Sequence, residues 1–242
     1  MNHNKAYPLL ILLVAILLIS IIAKPLQAQQ WQQVKNQEGI QVYTRAIPGS
    51  GIKEFKAVTT INSSLDSVLG VLNDISACPQ WVYQCTQPAL IQSISFGERY
   101  VYQVNDFPFP SRNRDIILHA KLNQSLTTKT ITIQLQAAPH FCKNQQTTIC
   151  KKVNQSKLVR IEKSKGFYLL EPIAKNKIQI TWQHHMEPGG NLPNWLVNNL
   201  ITDAPFYTLK KLARIVQESK YQKAKLKHNA KGLIIGFEVK SW

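Results

Sequence analysis

Three stretches near the middle of the chain alternate with period two, and that alternation restricts the fold more than any other feature. In "RDIILHAKL", Ile116, Leu118, Ala120 and Leu122 share one face, with Asp115, His119 and Lys121 on the other. "KTITIQLQA" sets Ile131, Ile133 and Leu135 against Thr130, Thr132, Gln134 and Gln136. "KIQITWQHHM" aligns Ile178, Ile180, Trp182, His184 and Met186. Successive strand side chains point to opposite faces, so each stretch has an apolar and a polar side. That is the pattern of an antiparallel sheet wetted on its outer face. A wide apolar face needs a cover. The long candidate is a helix from "NLPNWLVNNL", where Asn191 can cap, Pro193 suits the first turn, and Leu196 with Leu200 begins an apolar stripe. Leu209, Leu212, Ala213 and Val216 continue it to about Gln217, and Pro205 is expected to kink or break it.

Upstream, Trp31 to Val34 reads as a short helix. "IQVYTRAI" and "KEFKAVTTI", joined by Pro48-Gly49-Ser50-Gly51, read as a hairpin. "NSSLDSVLGVLND" reads as a helix capped by Asn62 or Ser63, with Leu65, Val68, Leu69 and Leu72 at helical spacing. Residues 138–155 read as a polar loop. The fold class is α+β.

Lys5, an apolar run from Leu9 to Ala23 broken only by Ser20, and Lys24-Pro25-Leu26-Gln27-Ala28 have the layout of a secretory signal peptide over residues 1–28. The run is shorter than the ~20 residues a spanning helix needs. The alternative is an uncleaved anchor. Cleavage would make the domain, residues 29–219, periplasmic or secreted; an uncleaved anchor would hold it at the membrane face. The formal net charge is +16. The leader's only charges are Lys5 and Lys24, so +14 stays with the rest, which favours an anionic membrane surface as a partner. Nucleic acid is the other usual partner of such charge, but no nucleic-acid motif is present and export argues against it. The four cysteines form two close pairs, Cys78 with Cys85 and Cys142 with Cys150. In an oxidising compartment two local disulfides are expected, although three pairings exist. The spacing is wrong for a zinc site.

The order of these elements resembles the StAR-related lipid-transfer (START) family, as an exported bacterial-type member. The resemblance rests on Trp31 and "GIQVYTR", Pro48-Gly49-Ser50 and "KEFKAV", "LNDISACPQWVYQC", "FPFPSRNRD", and "EPGGNLPNWLVNNL". It implies a helix-grip fold, a curved antiparallel sheet wrapped around a long C-terminal helix and enclosing a lipid-sized cavity. It also places the loop 107–113 at the cavity mouth, with Phe107 and Phe109 as a gate; the alternative is a connector that plugs the sheet's end.

Alternation plus this resemblance makes Ile116, Leu118, Ala120, Ile131, Ile133, Leu135, Trp182, His184 and Met186 candidate ligand contacts, joined by Leu196 and Leu200 from the helix. Without the resemblance the same face reads as packed core. The strand "ERYVYQVND" is ambiguous: hydrophobicity turns Tyr100, Tyr102 and Val104 inward, whereas the resemblance turns Val101, Gln103 and Asn105 inward and makes Gln103 a polar contact. His184 needs a partner in an apolar setting, either a ligand group or a protein group. Arg114 and Asp115 read as structural. Phosphatidylcholine-transfer members place an arginine just before the tryptophan matched by Trp81, where this chain has Ala77, Cys78, Pro79 and Gln80. Sterol-type members carry a buried acid–arginine pair, near whose positions stand Gln103 and Ala120. The cavity is therefore expected to be comparatively uncharged.

The resulting expectation is a domain that binds one lipid or similar apolar molecule and transfers it between membranes. The alternatives are a lipid sensor or sequestering module, or an enzyme on the same fold. No serine elbow, zinc-protease helix or phosphate loop is present. No cofactor, metal or catalytic residue is expected, and a monomer is. In residues 220–242, Lys220, Lys223, Lys225, Lys227 and Lys231 precede Leu233, Ile234, Ile235, Phe237 and Trp242, forming a tail that either lies on a membrane or packs back on the domain as an edge strand.

Overall fold

A computed structural model describes residues 30–240 and 242. The expected leader, residues 1–28, lies outside them. Residues 32–187 are dominated by one antiparallel sheet. Its strands are β1 (Gln32–Gln37), β2 (Ile40–Arg45), β3 (Glu54–Ile61), β4 (Cys85–Ser95), β5 (Glu98–Asn105), β6 (Arg114–Gln124), β7 (Ile131–Ala137), β8 (Val159–Arg160), β9 (Lys163–Ala174) and β10 (Lys177–Glu187). They lie in the order β1-β2-β3-β10-β9-β7-β6-β5-β4, with β8 parallel to β6. The helices are α1 (Leu65–Asn73), α2 (Cys78–Trp81), α3 (Thr148–Asn154), α4 (Asn194–Ile215) and α5 (Ser219–Gln222). A separate hairpin of β11 (Lys225–His228) and β12 (Ile234–Val239) follows.

The expected helix at Trp31–Val34 is instead the start of β1. Glu38 and Gly39 both have positive φ, 52° and 73°, and turn the chain back so that Gln37 pairs with Ile40. A two-residue turn of that hand matches strand twist, so it outweighs the local signal. Ser64, one residue beyond the expected cap, accepts from the Ser67 N–H and starts α1. α4 runs unbroken through Pro205.

α4 lies across the concave face of the sheet. Its C-terminal half, through Phe206, Leu209 and Leu212, packs with α1 residues Val68 and Leu69 and with Ile131, Ile178 and Ile180 of the sheet. Leu209 and Leu212 have no exposed surface, and burying each contributes ~2 kcal/mol. The convex face is not uniformly wet. Around β5 and β6 it is covered by α3 and the segment before it, so that Tyr102, Val104 and Ile117 are buried against Cys142, Cys150 and Val153. This second core explains why β5 turns its more apolar face, with Tyr100, Tyr102 and Val104, away from the cavity. The Cys142–Cys150 disulfide closes the covering loop, and Cys78–Cys85 ties α2 to β4. Asp115, with no exposed surface, accepts from Arg160 at 2.6 and 3.0 Å and from the Tyr102 hydroxyl at 3.1 Å, which fastens the cover to the sheet.

The segment from residue 220 packs back on the domain, as its own hairpin and not as an edge strand of the main sheet. Tyr221 and Leu226 are buried in the main core, with Phe237 and Trp242 against it. Phe237 meets Phe96 edge-on at 5.4 Å, so the hairpin closes the end of the sheet where β4 turns into β5.

Candidate functional site

The inner face is solid at one end and hollow at the other. Under the N-terminal half of α4 lies a cavity of about 230 Å³, against the 10–15 Å³ or so that one water needs. The reason is the helix sequence. Facing the hollow, α4 presents Val197, Leu200, Ile201, Ala204 and Thr208, whereas the packed half presents Phe206, Leu209 and Leu212. Small side chains at 204 and 208 leave the volume unfilled.

The cavity wall brings together Gln103, Ile116, Leu118, Ala120, Ile133, Leu135, Trp182, His184, Met186 and Leu200. Two expected contacts are not on it. Ile131 belongs to the packed half, two residues beyond Ile133 towards the Leu209 end, and Leu196 is displaced one helical position by Val197. β5 takes the parity that turns Val101, Gln103 and Asn105 to the cavity, while Tyr102 and Val104 are buried under the outer cover. Gln103 donates from Nε2 to Asn105 Oδ1 at 3.1 Å.

The loop between β5 and β6 splits its two phenylalanines. Phe107 lines the cavity, and its N–H donates to Asn113 Oδ1 at 3.0 Å while Asn113 Nδ2 donates to Asp106 at 2.6 Å. The buried Arg114 guanidinium stacks over the Phe107 ring at 4.5 Å and donates to the carbonyls of Arg112 and Gly189. Arg114 thus pins the loop to the turn before α4. Phe109, at the tip, is 96% exposed, and Trp195 at the start of α4 is 66% exposed.

His184 finds its partner in the protein. Nε2 lies 2.7 Å from Ser164 Oγ, with the ring among Phe55 and Trp182. Burial, helped by the neighbouring His185, pushes its pKa down to about 4, so the ring is neutral at pH 7. Nδ1 has no hydrogen-bond partner and faces Gly166; a Cβ there would overlap both the ring and the Gln183 carbonyl. The buried indole N–H groups of Trp81 and Trp182, both wall residues, also have no acceptor among the described residues.

The expectation of an uncharged cavity needs correcting, because Arg99 and Asp74 are on its wall. Arg99 donates from Nη1 to Asn73 Oδ1, at the end of α1. Its inward position follows from the parity that turns Gln103 in, since the two are four residues apart on one strand. Asp74 accepts from Ser76, Ala77 and Tyr221. Burial pushes its pKa up, but the hydrogen bonds from Ser76 and Tyr221 and the charge of Lys220 outweigh that, and the net shift is down. Among the described residues no cluster of three or more His, Cys, Asp or Glu side chains is arranged to hold a metal, and no helix is long and apolar enough to cross a membrane.

Comparison with known proteins agrees with this geometry. The START domain family model matches residues 23–222. A crystal structure of a STAR-related lipid transfer protein fragment from Xanthomonas axonopodis is 31% identical, with a TM-score of 0.67 over 78% of this chain and 99% of that one. An uncharacterised protein of Pseudomonas aeruginosa is 27% identical over 185 residues, 76% of this chain and 86% of its own length. Human phosphatidylcholine transfer protein is 23% identical over 194 residues, 79% of this chain and 86% of its own.

Proposed function

Because the chain belongs to the START domain family, we propose that it takes one lipid or similar apolar molecule into the cavity beneath α4 and carries it between membranes. Lipid binding or transfer in general is what its relationships support. The observation that carries the finer reading is the hollow half of the inner face, walled by apolar side chains with a few polar groups set among them. In this reading Gln103, Ile116, Leu118, Ala120, Ile133, Leu135, Trp182, His184, Met186 and Leu200 touch the ligand. The unpartnered indole N–H groups of Trp81 and Trp182 offer donors to its oxygens.

The mechanism is partition. Each methylene moved out of water stabilises the complex by ~0.8 kcal/mol, so an enclosed acyl chain can compete with a bilayer. Entry is through the end formed by the 107–113 loop and the start of α4. Phe109 and Trp195 stand exposed on these segments and insert at the membrane face, drawn there by the net positive charge. Two disulfides suit work in an oxidising, exported location.

Donor vesicles carrying a fluorescent lipid and unlabelled acceptor vesicles test this directly. Catalytic amounts of protein are expected to accelerate transfer, and Phe109→Ser with Trp195→Ser to slow it without loss of bound lipid. Tight binding with no acceleration would replace the shuttle by a sensing or sequestering role.

A further inference from the structure

Arg99 sits at the inner end of the cavity. It pairs with Ala120 across β5 and β6 and lies six residues along β5 from Asn105, ~20 Å from the gate end. The closing contact of Phe96 with Phe237 lies just beyond it. A guanidinium has five N–H donors, and the Asn73 Oδ1 bond is the one that Arg99 makes with another described residue's side chain or backbone outside the strand ladder. No described carboxylate forms an ion pair with it. Asp74, the acid on the same wall, is committed elsewhere: Oδ1 accepts from Ser76 at 2.5 Å and Ala77 at 3.3 Å, and Oδ2 accepts from Tyr221 at 2.8 Å with Lys220 at 3.7 Å. Burial alone acts on Arg99, lowering its pKa, yet a guanidinium stays charged.

Arg99 is partly buried, and a partly desolvated cation without a counter-ion is disfavoured. The nearby C-terminus of α1 offers about half an elementary charge, shared by its last carbonyls, and that does not balance a full one. The remaining donors form a fork suited to a carboxylate or phosphate.

We propose that Arg99 receives the acidic end of the ligand, an acyl-chain amphiphile whose head is an oxyanion and which lies head-innermost with its tail along β5 toward Phe107. This rests on reading the cavity as a lipid site. It adds the ligand's charge and its direction, and the net positive charge of the chain favours the approach of such a molecule. The competing role, a cap for α1 through Asn73, leaves ligand preference unaffected.

Palmitate and hexadecanol share a chain and differ at the head, so calorimetric titration of the full chain with each is the test. Palmitate is expected to bind roughly ten- to a hundredfold tighter, as a charge-assisted pair gives. Arg99→Gln should erase that preference by weakening palmitate far more than hexadecanol, and Arg99→Lys should keep part of it. Phosphatidic acid against diacylglycerol, each presented in phosphatidylcholine vesicles, asks the same of a phosphate head. An acid preference in either pair that Arg99→Gln removes supports the proposal. No preference in either pair, or one that survives Arg99→Gln, overturns it while leaving lipid binding intact. Failure of the wild type to bind any of the four overturns the lipid-site reading with it. Should Arg99→Gln not fold, the wild-type preference and its reduction in Arg99→Lys decide.

Discussion

The Tyr221 hydroxyl donates to Asp74 Oδ2 at 2.8 Å, although 147 residues separate the two. The bond joins the segment after α4 to the turn that follows α1, and the fully buried Tyr221 ring sits in the main core. The C-terminal segment is therefore part of the domain's stability. Tyr221→Phe should cost about 1–3 kcal/mol, the loss of a buried hydrogen bond to a charged acceptor, read by urea unfolding. Truncation after residue 219 should cost more, because it also strips Leu226 and Phe237 from the core.

Histidine 184 makes stability fall with acid. Its pKa is about 4 in the fold against an ordinary 6.5, so the unfolded chain takes up a proton that the folded one refuses. No penalty exists above pH 6.5. It grows as pH falls and reaches about 3 kcal/mol near pH 4. Since carboxylates also titrate there, the measurement is a difference: the pH dependence of unfolding should be shallower between pH 6.5 and 4 in His184→Gln than in the wild type.

Ala204→Trp fills the cavity from its helical wall. The site faces open volume, so the melting temperature should stay within a few degrees of the wild type, while uptake of a fluorescent fatty acid falls at least ~10-fold. Unchanged uptake would place the ligand elsewhere.

On the convex face, Arg160→Met leaves the buried Asp115 carboxylate without its cation. Breaking one side of a buried pair costs ~3–5 kcal/mol, read by thermal unfolding, and the covering segment around α3 should gain hydrogen exchange first. Asp115→Asn combined with Arg160→Met should recover part of the loss.

The sheet was legible because β7, β10 and the second half of β6 alternate between an apolar and a polar face; the first half of β6 is buried on both. β1 was not: most of its residues are exposed, and its structure comes from the Glu38-Gly39 turn and pairing with β2. Periodicity placed Ile131 and Ile133 on one face but said nothing of which meets a filled or an empty space. That depends on α4, where Ala204 and Thr208 open the volume that Leu209 and Leu212 fill. Arg99 was legible in principle, since any parity that turns Gln103 inward turns Arg99 inward too. Tyr102 and Val104 misled by hydrophobicity alone, because they answer to a second core that only the folded 138–155 segment creates.

The division of the concave face has a mechanical corollary. The long helix is anchored through its C-terminal half, so folding draws much of its free energy from a region outside the cavity. Under the function proposed above, an empty molecule would be as well folded as a loaded one at that end, and loading and unloading would be local events, decoupled from the integrity of the whole.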